Sequence, residues 1–293
     1  MGTTVVRQKR RIPLEEVSAV CVRRGVVGHE LLAVGDEAFK VVVAELGDTG
    51  IGKGVPRKLE HFFPVEARSA REGSEWEGLA ADREGRVFVM KESSGTVFVF
   101  SPDFEKLLQT IELDASESDE PRVRSLFEDP DAGAEALVLL PPSDLLVAKQ
   151  RDPIMFVQFG PPDTRVSAGG RMSLAQDIAF QLSENAHAKL TALRHWTMRA
   201  DEESEMKSVN DMAIDASGRL HVISSKSRRI YRLDIGDHEV RIDDDWDLAD
   251  AIEMSKDRKP EGLAFDPDGR FVVAVDTKDE RDNVFLLAKL EDN

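Results

Sequence analysis

Three features of the 293-residue sequence predict an all-β fold, a five-bladed β-propeller with four-stranded blades. First, one stretch is copied along the chain. WEGLAADREGRVFVM, residues 76–90, returns near the C-terminus as PEGLAFDPDGRFVVAV, residues 260–275, and again as VNDMAIDASGRLHVIS, residues 209–224. Weaker copies are AEALVLLPPSDLLVAK at 134–149 and VSAVCVRRGVVGHELLAVG at 17–35. Second, the apolar residues fall in short alternating runs of four to seven, the pattern of half-buried strands. Third, a polar residue opens the first strand of every copy. These are Ser18, Glu77, Glu135, Asp211 (taken as standing in the place of the glutamate) and Glu261, at steps of 59, 58, 76 and 50 residues. One step per blade with a single insertion covers the chain as one domain of 1–293.

In chain order, residues 4–12 (TVVRQKRRI) read as an edge strand that seals the ring by completing the last blade. Blade one, about 17–66, uses strands at 18–22, 30–34, 40–46 and 57–65. Its Gly-rich loop at 47–54 contains Lys53 but lacks the Gly-Lys-Ser/Thr ending and following helix of a phosphate loop, so it reads as a surface loop. Blade two, about 75–114, is the cleanest copy. In its DREGR turn, and in DASGR at 215–219 and DPDGR at 266–270, the aspartate accepts backbone N–H bonds while the glycine takes a positive φ, which closes a tight hairpin. These aspartates are structural. The acidic run at 114–131 reads as a solvated connection.

Blade three spans about 133–199, with an insertion at about 161–188. Within it, SLAQDIAFQLSE at 173–184 shows helical periodicity, which predicts one helical insertion between blades three and four, lying over a face of the ring as a partial lid. Blade four is about 208–244. The run Asp243 to Asp247 resembles half an EF-hand loop, but Leu248 and Met254 occupy the positions of the required glycine and bidentate acid. Blade five is about 259–289, completed by the strand at about 4–12.

The formal charge of −17 and pI near 4.9 repel phosphate backbones and anionic lipid, which argues against nucleic-acid and membrane partners and for cations. The single cysteine, Cys21, lies in an apolar strand and reads as a buried, inert thiol. The start MGTTVVRQKRRIP has no apolar signal region, so the expected location is the cytoplasm.

The first strand of each propeller blade lines the central channel, so the polar series Ser18, Glu77, Glu135, Asp211 and Glu261 is expected to converge on the axis. Like charges roughly 6 Å apart at an effective dielectric of about 20 repel by ~3 kcal/mol per pair, so either some acids are protonated or a cation sits among them. An all-oxygen anionic ring suits a hard divalent ion, and calcium over magnesium because separate blades match flexible coordination more easily. The alternative is that the acids bond neighbouring backbone N–H groups. Residues closing the second strands form a rim at the same mouth: Glu92, Lys149, Arg151, Ser225, Arg228 and Asp276. Such a mixed-charge rim suits a phosphate or carboxylate bridged to the metal.

On that series, on LVAKQRDPIMFV at the end of blade three, on the insertion, on ISSKSRRIYRLD and on PEGLAFDPDGR, the chain resembles the SdiA-regulated (YjiK-like) family of five-bladed propellers, related to the esterase-like phytase group. The resemblance implies a channel metal, calcium, and no established activity. Calcium-activated nucleotidases look similar but place their helical insertion in a different blade. The chain departs from the family pattern at Asp211, where serine is common, and at Ala136 after Glu135. The 210–234 segment also resembles the metal-ligand segment of six-bladed gluconolactonases, with Asn210 or Asp211 as ligand. The expected function is a calcium-binding propeller of unassigned activity that takes a small anionic molecule or a protein at its channel mouth. The alternatives are a metal-dependent phosphoesterase with Glu92 as base, and a lactonase. His187 and His195 read as surface or packing residues, and no Ser-His-Asp order or zinc spacing is evident.

Overall fold

The computed structural model describes residues 2–36, 38–64, 74–128, 133–162, 164, 172–279 and 281–288. Its alternating apolar runs fold as successive antiparallel meanders. After β1 (Gly2–Thr3) and β2 (Val6–Arg10), β3 (Val17–Arg24), β4 (His29–Gly35) and β5 (Ala38–Gly47) form a meander whose outer edge is shared by β6 (Gly50–Ile51) and β7 (Val55–Lys58). The next consists of β8 (Trp76–Ala81), β9 (Val87–Lys91), β10 (Thr96–Phe100) and β11 (Leu107–Asp114). It is followed by β12 (Ala134–Leu140), β13 (Asp144–Lys149), β14 (Met155–Gly160) and β15 (His187–Met198), then by β16 (Asp211–Ile214), β17 (Leu220–Ser224), β18 (Arg229–Ile235) and β19 (Glu239–Asp247). The last comprises β20 (Lys259–Phe265), β21 (Phe271–Asp276), β22 (Val284–Leu287) and, from the opposite end of the chain, β2.

The first strands touch one another in a closed circuit, from β3 to β8, β12, β16, β20 and back to β3. That circuit of innermost strands makes the fold a β-propeller. Hydrophobic clusters fill the space between adjacent sheets. Leu32, Trp76 and Phe100 pack between the first and second meanders, Phe88, Leu137 and Phe159 between the second and third, and Phe156, Trp196 and Tyr231 between the third and fourth. Ile223, Trp246 and Phe285 follow, and Val20, Leu31 and Val272 close the round. Sheets covered on both faces need near-continuous apolar strands, and β13 and β14 are buried along their whole length.

The Asp-x-x-Gly-Arg turns behave as their chemistry requires. Asp82 Oδ1 accepts from the backbone N–H of Glu84 and Arg86 at 3.1 and 3.0 Å, Gly85 sits at φ 77°, and the Arg86 guanidinium returns to the same carboxylate. Asp215 and Asp266 repeat the arrangement with Arg219 and Arg270. Asp243 to Asp247 lie within β19, a strand and not a calcium loop.

Three expectations are corrected. The 173–184 segment forms no helix; it is an extended strap between β14 and β15, inside one meander rather than between two. Ile178 and Phe180 point inward together at a two-residue interval into the cluster between the second and third meanders. Strap backbone groups find partners on distant turns, Arg83 N donating to Ile178 O at 2.7 Å and Gln181 N to Pro142 O at 2.7 Å, so no internal helical ladder is needed. The helix that does join the third and fourth meanders lies further on, at 200–206. The strand expected at 57–65 ends at Lys58, before a 3-10 turn at Glu60–Phe62; residues 65–73 lie outside the described residues, as do 165–171 of the insertion and 289 of the last blade. The acidic 114–131 run is more than a solvated link. Glu120 caps the short helix α1 (Pro121–Arg124), and Val123 and Leu126 are buried in the core. Helix α2 (Ala200–Met206) carries Glu203, which accepts from Ile154 N at 2.8 Å.

Candidate channel-mouth site

The first strands share an irregularity that builds the site. Register shifts by one residue between Val17 and Ala19, Trp76 and Gly78, Ala134 and Ala136, and Pro260 and Gly262. Ser18, Glu77, Glu135 and Glu261 are therefore bulge residues, and a bulge re-aims the side chain it carries. The small residue that follows has a steric cause. A Cβ on Gly78 would meet Leu137 Cβ at 2.8 Å, and one on Gly262 would meet Val20 Cγ2 at 3.0 Å, because the innermost strands approach closely there.

The fourth member of the series is corrected by one residue. Glu77 and Glu261 each lie five positions before the turn aspartates Asp82 and Asp266; five before Asp215 is Asn210, not Asp211. Asn210 Oδ1 accepts from Ser225 N at 2.9 Å and from Ser208 Oγ at 3.0 Å. Asp211 occupies the small-residue position and is fully buried. Its Oδ2 accepts from Val20 N at 3.2 Å and Leu263 N at 2.8 Å, and its Oδ1 from Met212 N at 2.8 Å. Burial raises its pKa while these three amides lower it. Asp211 thus follows the backbone-bonded alternative and ties β16 to β3 and β20.

Glu77, Glu135 and Glu261 stand in a shared field. Burial is the main reason all three carboxyls are displaced upward. Glu77 is raised further by Glu135, Asp36, Glu261 and Glu92, and Glu135 by Glu92 and Glu261, against the opposing Arg151. Glu261 is pushed up to about 8 by burial and by Asp276, with Lys259 opposing. Ser18 is buried, its hydroxyl 3.4 Å from Glu16 O.

Of the expected rim, Glu92, Arg151 and Asp276 act on these acids electrostatically. Glu92 accepts from Gly133 N at 3.1 Å, Lys149 Nζ donates to Arg151 O, and Asp276 lies 3.8 Å from Lys259. Ser225 serves Asn210 through its backbone, and Arg228 turns the chain at φ 59° with its N–H bonded to Ser224 O. Asp36 belongs to the site and was missed. It follows Gly35 at the end of β4 as Glu92 follows Lys91 at the end of β9, and aligning the ends of the second strands would have found it.

The donor set, all oxygen and anionic, fits a hard cation in kind. It is not a closed cage as the side chains stand: among the described residues, no three His, Cys, Asp or Glu groups are placed to hold a metal ion.

No protein-family model matches the chain, and no curated protein does. Solved structures similar to it include a streptogramin B lyase (9% identity, 97% of each chain, TM-score 0.49) and a gluconolactonase-like protein (12%, 98% of this chain and 82% of that one, TM-score 0.44). Another is the β-propeller domain of Cps50 (Swd1) from Myceliophteria thermophila (12%, 97% and 99%, TM-score 0.42). By its own strand pairing, then, the chain is a β-propeller. Its distinguishing feature is an acidic channel mouth in which Glu77, Glu135 and Glu261 share one field.

Proposed function

We propose that the chain is a five-bladed propeller of the SdiA-regulated kind that binds a hard divalent cation, calcium, at the channel mouth. The blade count is supported by the circuit of first strands and by β2 completing the sheet of β20 to β22. The observation that carries the cation is the set Glu77, Glu135 and Glu261, carboxyls whose ionisation is opposed first by burial and then by the other acids of the mouth. Side-chain rotation would bring them into a common oxygen shell with Ser18. A bound calcium would supply the positive charge that lets all three ionise, and would leave coordination open toward the rim. Arg151 and Lys259, the cations felt at the ring, favour a small carboxylate or phosphate as the second ligand there. Glu92 shares the field of the other acids and accepts from Gly133 N at 3.1 Å.

Calorimetric and thermal titration of EDTA-treated protein tests this reading. Saturable stabilisation by calcium, stronger than by magnesium and lost in Glu77→Gln, is expected. Absence of a calcium response, together with greater stability of Glu77→Gln and Glu261→Gln at neutral pH, would make the ring a proton site and end the proposal.

A further inference from the structure

At the hairpin end, opposite the acids, the channel holds a cavity of about 410 Å3, within the range of small-molecule sites. Its wall is mostly strand edge. Leu79, Leu137 and Leu263 lie in the inter-sheet clusters, and the short, half-buried side chains of Cys21, Ala81 and Ala213 pack against those same clusters where they line the cavity. The edges are polar. The amides of Val20 and Leu263 point into the channel, since Asp211 takes both, and the carbonyl of Ile214 does so too, since Gln176 Nε2 reaches it. By the two-residue repeat of a strand, Val22 and Phe265 present their backbone groups to the same space.

Charge on this wall is already matched. Arg23 pairs with Glu30 at 2.8 Å and Arg24 with Asp177 at 3.4 Å, while Asp82 and Asp266 are taken by Arg86 and Arg270. A charged ligand would enter without a counter-charge, whereas a neutral one exchanges water bonds for backbone bonds.

The strap covers the opening. It runs from the Gly218 turn, where Leu174 O would lie 2.7 Å from an added Cβ, past β16 and on to Arg24 and Arg83. Ile178 and Phe180 anchor it in the core, but Asp177 is held by side chains that are 70% and 62% exposed, and such ion pairs open at small cost.

We propose that this cavity binds a compact, uncharged, hydrogen-bonding molecule of about monosaccharide size, admitted when Gln176 and Asp177 release Ile214, Arg24 and Arg83. The site is separate from the acidic mouth and stands whether or not that mouth binds a cation. Occupancy is read by isothermal titration calorimetry and by amide hydrogen exchange of the strap, because burial raises the Cys21 thiol well above its ordinary range and leaves it a poor reporter. Glucose, N-acetylglucosamine and myo-inositol serve as neutral probes, with glucose 6-phosphate and glucosamine as charged counterparts.

At least one neutral probe is expected to bind saturably at one site and to slow strap amide exchange about threefold at concentrations near twice its dissociation constant, with neither charged sugar doing so. Asp177→Asn, at an exposed position whose left-handed backbone asparagine tolerates, is expected to speed strap exchange in the absence of probe. Ala213→Leu, which fills the cavity, is expected to abolish binding; if it does not fold, Asp177→Asn carries the test of entry. Failure of all three neutral probes to bind, or equal binding of glucose 6-phosphate, overturns the proposal.

Discussion

Asp211 shows how one carboxylate serves the scaffold while its neighbours in the ring serve the site. Its three backbone donors come from β3, β16 and β20, and truncation leaves all of them unsatisfied in the interior. Asp211→Ala fits sterically, since Ala19 and Ala136 occupy the same register position, so its cost isolates the lost bonds. Chemical denaturation is expected to show a loss of about 3 kcal/mol; a loss below ~1 kcal/mol would remove its role as a tie. Glu261→Gln acts in the opposite direction. It removes a carboxyl whose ionisation burial opposes, so at pH 8 and without calcium the variant is expected to melt above the parent.

At the scale of elements, the bulge and the glycine after it form a pair. Gly78→Ala forces its Cβ against Leu137 and Met90, and overpacking of this kind costs about 1–3 kcal/mol, whereas Gly47→Ala, with open space around it, is the neutral control. Denaturant midpoints of the two variants test the contrast; equal midpoints would mean the inner strands yield freely. The strap is a second such element. Phe180 packs edge-on against Phe88 with ring centroids 5.0 Å apart, and Phe180→Ala is expected to cost about 3 kcal/mol while leaving any calcium response intact, because strap and acids lie at opposite ends of the channel.

For the whole molecule, two buried sets of titrating groups set opposite limits on stability with pH. Glu261 holds its proton from its ordinary 4.5 up to about 8, so the folded state binds more protons than the unfolded across that window and calcium-free stability falls as pH rises through it. Glu77 and Glu135 are displaced the same way and add to the fall. His221, enclosed by Trp246, Phe265 and Phe271, is depressed from 6.5 to about 4. The unfolded chain therefore takes up the extra proton there, and stability is lost as pH falls through that range. The windows overlap from 4.5 to 6.5, where the two slopes oppose each other, so melting temperature without calcium is expected to fall most steeply above 6.5, where the acids act alone. Calcium is expected to remove the alkaline decline and leave the acid one; a calcium-independent profile would count against the cation.

The amino-acid order by itself determined the strands, the Asp-x-x-Gly-Arg hairpins and the joining of the N-terminal strand to the last sheet. The strands and hairpins depend on short-range periodicity and on turns whose donors lie within a few residues, and the joining on the closure a ring of repeats requires. Three matters were decided only by tertiary structure. The five-residue spacing to Asp215 already marks Asn210, but that Asp211 spends its carboxylate on β3 and β20 depends on distant strands the fold brings beside it. The strap's apolar residues at 174, 178, 180 and 182 suit a helix as well as an extended chain, and backbone partners on the Arg83 and Pro142 turns settled it. Asp36 entered the acidic field because β4 ends beside β8; aligning second-strand ends names the residue, but only packing between sheets creates the proximity.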